Sequence, residues 1–138
     1  MSFRSMERTR YLFVYGTLRR ACKTHALLLR GGKVAYHGHG CIRGRMYEVD
    51  GYPGAVETGT PGDIILGEAY RLHAGPRVLK AIDRYEECGP GFPQPQEFVR
   101  KILPVQLDRG GCIHAWVYLY NRDISGLRRI PSGDYLAS

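Results

Sequence analysis

No apolar run in this chain approaches the ~20 residues that a membrane-spanning helix needs, so a bilayer span is not expected. The charged stretch Met1 to Arg10 is not followed by an apolar segment with a small-residue cleavage site. A secretory signal is therefore not expected either, and the cytoplasm is the expected location. The four cysteines, Cys22, Cys41, Cys88 and Cys112, include no CxxC pair. In a reducing compartment such thiols stay free, and no disulfide is assigned. The chain also lacks a βαβ rhythm and an internal repeat, which argues against a doubly wound parallel sheet. RNP-type, zinc-finger and helix-turn-helix patterns are absent as well.

What remains is ordinary enough to fold. A length of 138 residues fits one domain, residues 1–138 with a core over about 10–136, and 43% hydrophobic residues suffice for a packed interior. The formal net charge of +7 attracts anions in general. Its arginines are spread (Arg19/Arg20, Arg43/Arg45, Arg100, Arg128/Arg129) rather than gathered in one block, so no nucleic-acid partner is expected from charge alone. His37, His39 and Cys41 alternate, which on a regular strand places all three on one face. A tight zinc site needs a further ligand or a water-filled position, and solvated or packed side chains are the preferred reading. No metal and no cofactor are expected.

Along the chain, Tyr11 to Tyr15 reads as a buried strand that Gly16 ends. Thr24 caps a short helix to Arg30, stopped by Gly31-Gly32. Strands are expected over 33–38, 42–49 and 64–72, with Gly51-Tyr52-Pro53-Gly54 as a turn. Pro76 opens a helix running to Glu86 or Glu87, and a loop rich in Gly and Pro, Gly89 to Pro95, follows. Strands over 97–107 and 112–120 flank the turn Asp108-Arg109-Gly110-Gly111. The tail from Asn121 shows no periodicity. Six or seven short strands with two helices give an α+β fold, with a curled, mixed or mostly antiparallel sheet that can close into a small barrel.

Two places carry candidate chemistry. Backbone amides after a strand that ends at Gly16 can turn away from the ladder and form an anion-binding nest suited to a carboxylate. An ordinary strand-to-helix turn has the same local sequence. In the helix from Pro76, Val78, Leu79, Ile82 and Tyr85 form an apolar arc, and Glu86 continues it while Glu87 leaves it. A carboxylate on such an arc is partly buried, its pKa raised, and fit for proton transfer near neutrality. If the helix frays at Tyr85, Glu86 is simply solvated. Both readings stand at this point.

Phe13-Val14-Tyr15-Gly16-Thr17-Leu18-Arg19 resembles the (F)VYGTL(R/K) opening of the γ-glutamylcyclotransferase-like proteins, the group that includes γ-glutamylamine cyclotransferase and the AIG2-like proteins. Further matches come in order: Gly44-Arg45-Met46-Tyr47, Tyr52-Pro53-Gly54 and Gly67-Glu68-Ala69-Tyr70. Ile82-Asp83-Arg84-Tyr85-Glu86 is similar to LDxYE, and Phe98-Val99-Arg100 to Y-x-R. Ala115 to Tyr118 and Ile130 to Tyr135 resemble the family's late strand and closing segment. The resemblance implies a small mixed β-barrel with flanking helices, conversion of a γ-glutamyl amide or peptide to 5-oxoproline and a free amine, and no cofactor. It implies that Tyr15, Gly16, Thr17 and Leu18 hold the glutamyl moiety and that Glu86 is the acid/base. Tyr118 is a candidate hydrogen-bonding wall of the pocket or a core tyrosine.

Two departures stand out. Glu87-Cys88 follows where many relatives have Gly after the YE pair, and Phe98 stands where tyrosine is common. The expected partner is a small γ-glutamyl molecule, with a simple amine or single amino acid preferred to glutathione because the Gly89–Pro95 loop carries little charge. The alternatives are a non-catalytic binder of a γ-glutamyl-like carboxylate and a basic module that interacts with nucleic acid.

Overall fold

The fold grows from β1 (Tyr11–Val14), which pairs antiparallel with β5 (Ile64–Leu72), Phe13 opposite Ala69 and Val14 opposite Glu68. The computed structural model describes residues 10–16, 34–73, 75–85 and 96–135. On its other side β1 runs parallel to β7 (Cys112–Tyr120), with Leu12 opposite Trp116, and with β2 (Val34–Arg43) and β6 (Phe98–Leu107) this contact closes a barrel in the order β1-β5-β2-β6-β7. The sheet is thus mixed and mostly antiparallel. A smaller sheet of β4 (Pro53–Val56), β3 (Arg45–Glu48) and β8 (Arg128–Ile130) lies beside it.

Strand alternation divides the apolar residues into two sets. Phe13, Ile42, Ile65, Ala69, Leu103, Val105, Val117 and Leu119 come from all five barrel strands and fill its interior, joined by Met46, Ala55 and Ile130 of the small sheet. Leu12, Val14, Tyr70, Leu72, Phe98 and Tyr118 face outward and meet Ile82 and Leu79 of α1 (Gly75–Tyr85). The helix therefore lies on the outer face of the barrel over β1 and β7. Burying these stripes contributes roughly 25 cal/mol per Å² of apolar surface removed from water. Among the described residues no helix is long and apolar enough to cross a membrane.

Several expectations are met closely. β1, β5, β6 (Phe98–Leu107) and β7 fall where hydrophobic patterning put them, and Gly110 and Gly111 take φ of 102° and 89° in the β6–β7 turn. The helix begins at Gly75, one residue before the expected Pro76, and is described to Tyr85. The expected helix over Thr24–Arg30 lies outside the described residues.

Three expectations are corrected. The strands over 33–38 and 42–49 are instead one long strand, β2 (Val34–Arg43), followed after Gly44 by β3. Gly51-Tyr52-Pro53-Gly54 is only half turn, since Pro53 already starts β4, whose Ala55 pairs with Met46. The tail contains β8, where Ile130 pairs with Met46 from the other side. β2 also carries a bulge: Tyr36 opposes Tyr70 and Gly38 opposes Ala69, leaving His37 as the extra residue. The bulge breaks the alternation expected of His37, His39 and Cys41. His37 stacks on Tyr11 with ring centroids 4.7 Å apart, whereas His39 turns to Glu68 and Tyr36. Arg109 donates to His37 Nε2 at 2.7 Å. Burial, then the charges of Arg109 and Arg71, lower the pKa of this imidazole. The Cys41 thiol is pushed up by burial.

Candidate active site

Tyr15 and Gly16 continue directly from β1. The Tyr15 hydroxyl donates to the Tyr118 carbonyl oxygen of the neighbouring strand β7 at 2.5 Å, and it accepts from the Ala55 N–H at 3.3 Å. One phenol thereby ties the end of β1 to β7 and to β4. Gly16 follows at a point of close approach, because a Cβ there would meet Pro53 Cγ at 2.8 Å. The turn is pinned on one side by a buried aromatic ring and pressed on the other by the first residue of β4.

The helix is tied to β6 and to the same Tyr118. Arg100 on β6 donates from Nε to Asp83 Oδ1 at 2.9 Å and from Nη2 to Asp83 Oδ2 at 3.1 Å. This is the bidentate fork that guanidinium and carboxylate geometry favour. The Arg100 guanidinium also lies 4.3 Å from the centroid of the Trp116 ring. The Tyr118 hydroxyl donates to Asp83 Oδ1 and sits 3.5 Å from the Leu79 carbonyl oxygen. Tyr118 is thus a joint. Its main chain receives the β1 end through Tyr15, and its side chain holds the last described turn of α1.

The chain that returns after the helix is anchored nearby. The Asn121 N–H donates to the Glu97 carbonyl at 2.7 Å, and the Tyr52 hydroxyl donates to the Glu97 carboxylate. Burial, then that carboxylate, push the Tyr52 phenol up. Tyr52 packs on Phe98, which packs in turn on Tyr120, with ring centroids 6.2 and 5.7 Å apart. Residues 96–98 therefore return to the barrel beside Pro53, the neighbour of Gly16.

Of the residues expected at the site, Tyr15, Gly16 and Tyr118 are described, and the first and last touch through the bond above. Thr17, Leu18 and Glu86 lie outside the described residues, as does the Gly89–Pro95 loop. Asp83 and Arg100 stand in the segments similar to LDxYE and Y-x-R, and their pairing was not foreseen. The signal that could have found them is a carboxylate one residue after Ile82 of the apolar arc and an arginine inside an apolar strand. Among the described residues no three His, Cys, Asp or Glu side chains are grouped to hold a metal ion.

Comparison with known proteins identifies the family. The family model described as gamma-glutamyl cyclotransferase, AIG2-like, matches residues 12–137. The chain is 31% identical over 131 residues to the γ-glutamylcyclotransferase family protein YtfP of Escherichia coli, spanning 91% of this chain and 95% of that one. It is 30% identical over 118 residues to a γ-glutamylaminecyclotransferase of Bos taurus, spanning 78% of this chain and 63% of the relative. Among solved structures, an AIG2-like protein of Mus musculus shares the fold with a TM-score of 0.70 at 24% identity, covering 88% of this chain and 86% of the other. The chain belongs to the AIG2-like γ-glutamylcyclotransferase family.

Proposed function

We propose that this protein is an enzyme that cyclises a small γ-glutamyl amine or γ-glutamyl amino acid, releasing 5-oxoproline and the free amine. The observation that supports it is the Tyr118 joint, which links the β1 end bearing Tyr15-Gly16 to the helix segment Ile82–Tyr85 that leads into Glu86. Both halves of the reaction are assigned to those two segments. Backbone N–H groups over Tyr15, Gly16, Thr17 and Leu18 take the α-carboxylate of the glutamyl group. Glu86 removes a proton from the α-ammonium, the freed amine attacks the γ-carbonyl carbon, and the five-membered ring closes. The C–N bond to the leaving amine then breaks as Glu86 returns the proton to it, and the ring nitrogen passes its remaining extra proton, by way of Glu86, to the released amine, which departs as an ammonium ion. Protons balance over the cycle, and no enzyme nucleophile, water, metal or cofactor is consumed. Holding the substrate folded supplies much of the acceleration, because ring closure is already intramolecular.

The leaving amine is assigned to the side where residues 96–98 return, next to Tyr52, Phe98 and Tyr120. A wall of aromatic rings favours a short or aliphatic amine over the charged dipeptide of glutathione. The working partner is thus a small molecule of the cytoplasm, not a nucleic acid.

The test is a panel of γ-glutamyl-lysine, γ-glutamyl amino acids and glutathione with 5-oxoproline as readout, run on wild type and on Glu86→Gln. Turnover of the first two substrates above glutathione, with loss of at least ~100-fold in kcat for the variant, is the expected outcome. Glu86→Gln working at near wild-type rates would remove Glu86 from its role. Glutathione as the best substrate would overturn the preference alone.

A further inference from the structure

Gly67-Glu68-Ala69-Tyr70 plays no part in the mechanism above, yet it carries a carboxylate that the fold removes from water. Glu68 is 4% exposed, the buried charged side chain among the described residues. Its sequence signal is a lone acid within the strand Ile64-Ile65-Leu66-Gly67-Glu68-Ala69-Tyr70. The register shows where it stands. Glu68 is opposite Val14 on one side and opposite His39 on the other. Since Leu12 pairs with Trp116 in the parallel direction, Val14 is level with Tyr118. Tyr118, Val14, Glu68 and His39 thus form a row across four adjacent strands on the outer face, one residue below the Tyr15-Gly16 turn. Neighbouring strands are about 4.8 Å apart, so Glu68 lies one strand from the residue that enters the turn.

The carboxylate is also held in orientation. The Tyr70 hydroxyl donates to Glu68 Oε1 at 2.8 Å, and His39 Nε2 lies 3.7 Å from Oε2. The Tyr36 hydroxyl bonds to His39 Nδ1, and its ring meets that of Tyr70 edge-on at 5.7 Å. Two tyrosines and a histidine therefore steady one acid.

We infer that Glu68 receives the α-ammonium group of the substrate, an assignment that rests on the proposed function. The glutamyl end is then gripped as a zwitterion, its carboxylate on the N–H groups after Tyr15 and its ammonium on Glu68. Backbone amides alone would accept any small dicarboxylate, whereas a second, negative group rejects those that lack the amine. A charge-assisted bond at a site shielded from water is stronger than its exposed counterpart. Glu68 holds the ammonium in the ground state and Glu86 moves its proton, so the two acids divide binding from proton transfer. A residue that acts in this way governs KM more than kcat.

The experiment measures competitive inhibition by L-glutamate and by glutarate, which differs from it by the missing amino group. Wild type is expected to bind glutamate about 10-fold or more tightly than glutarate, the size of one charge-assisted hydrogen bond. Glu68→Gln brings the ratio near one and raises KM for γ-glutamyl substrates by a similar factor, with kcat nearly kept. Glu68→Asp retains part of the ratio, and so serves if the glutamine variant folds poorly. Tyr70→Phe, which frees the carboxylate, lowers the ratio less. A ratio unchanged in Glu68→Gln, or in both Glu68→Asp and Tyr70→Phe, overturns the assignment. So does a loss confined to kcat. If wild type cyclises no γ-glutamyl compound but its preference for glutamate, read by direct binding, vanishes in Glu68→Gln, the ammonium site stands and the cyclisation reading falls.

Discussion

A single added methyl group separates two glycines that look alike in the sequence. At Gly16 a Cβ would come within 2.8 Å of Pro53 Cγ, the edge of a proline ring that can shift a few tenths of an ångström. At Gly67 it would meet the Val14 carbonyl oxygen at 2.3 Å and the Phe13 ring at 2.5 Å. That oxygen belongs to the β1–β5 ladder and cannot retreat without opening the barrel. Gly67→Ala is therefore expected to cost about 3 kcal/mol or more and Gly16→Ala about 1 kcal/mol, measured by urea unfolding. The order reverses for catalysis in folded protein, where Gly16→Ala displaces the turn and lowers kcat/KM. A Gly67→Ala protein as stable as wild type would show that the strands part more easily than this geometry allows. At this scale the sequence showed that Gly16 ends a strand. It did not show that Pro53 is the reason glycine stands there, because the two meet only in the fold.

The same distinction holds for whole elements. α1 was legible because its start and its apolar arc are local, Pro76 at the first turn and Leu79 and Ile82 facing the barrel. Strands β5, β6 and β7 were legible because 9 or 10 residues of alternation are hard to mistake. β4 has only 4 residues and pairs with Met46 across the short turn between Glu48 and Pro53, whereas β8, with 3 residues, exists through long-range pairing to Met46 that no local pattern encodes. The bulge at His37 escaped for the same reason. What holds α1 to the barrel is likewise long-range, the Asp83–Arg100 fork with the Tyr118 hydroxyl beneath it. Asp83→Asn or Arg100→Gln removes one side of a half-buried pair and is expected to cost about 1–3 kcal/mol. Because the helix end leads into Glu86, kcat should fall more than KM rises in both variants. The double variant should cost less than the two singles added, since each single leaves the same partner unmatched. Additive losses would mean that the pair does not act as one clamp.

Across the molecule, the barrel and the small sheet are joined at their rim by one acid. Asp63, just before β5, accepts from Arg45 Nε of β3 at 2.7 Å and from Arg129 Nη2 of β8 at 3.0 Å. The Thr58 hydroxyl donates to it at 3.3 Å. The hydrogen bond from Arg45 above all, and then the charges of Arg45 and Arg129, lower the Asp63 pKa from its ordinary value. An aspartate in the unfolded chain titrates near 3.9, about the model-peptide value, so the folded form binds its proton only at lower pH. A group shifted in this direction stabilises the fold fully above its unfolded pKa. That contribution is lost as pH falls through the folded pKa, and below both values it is absent. Asp63→Asn cannot titrate, so its stability should fall less steeply than that of wild type between about pH 5 and pH 2. At pH 7 the variant should be the less stable of the two, and the curves should converge in acid. Added salt should narrow the gap at pH 7, because part of the attraction is open to screening. The measurement is the urea midpoint from pH 2 to pH 7 at two ionic strengths. Parallel curves for the two proteins would show that Asp63 carries no share of the acid sensitivity, leaving the small sheet held to the barrel by the packing of Met46, Ala55 and Ile130 and by the Tyr15 hydroxyl.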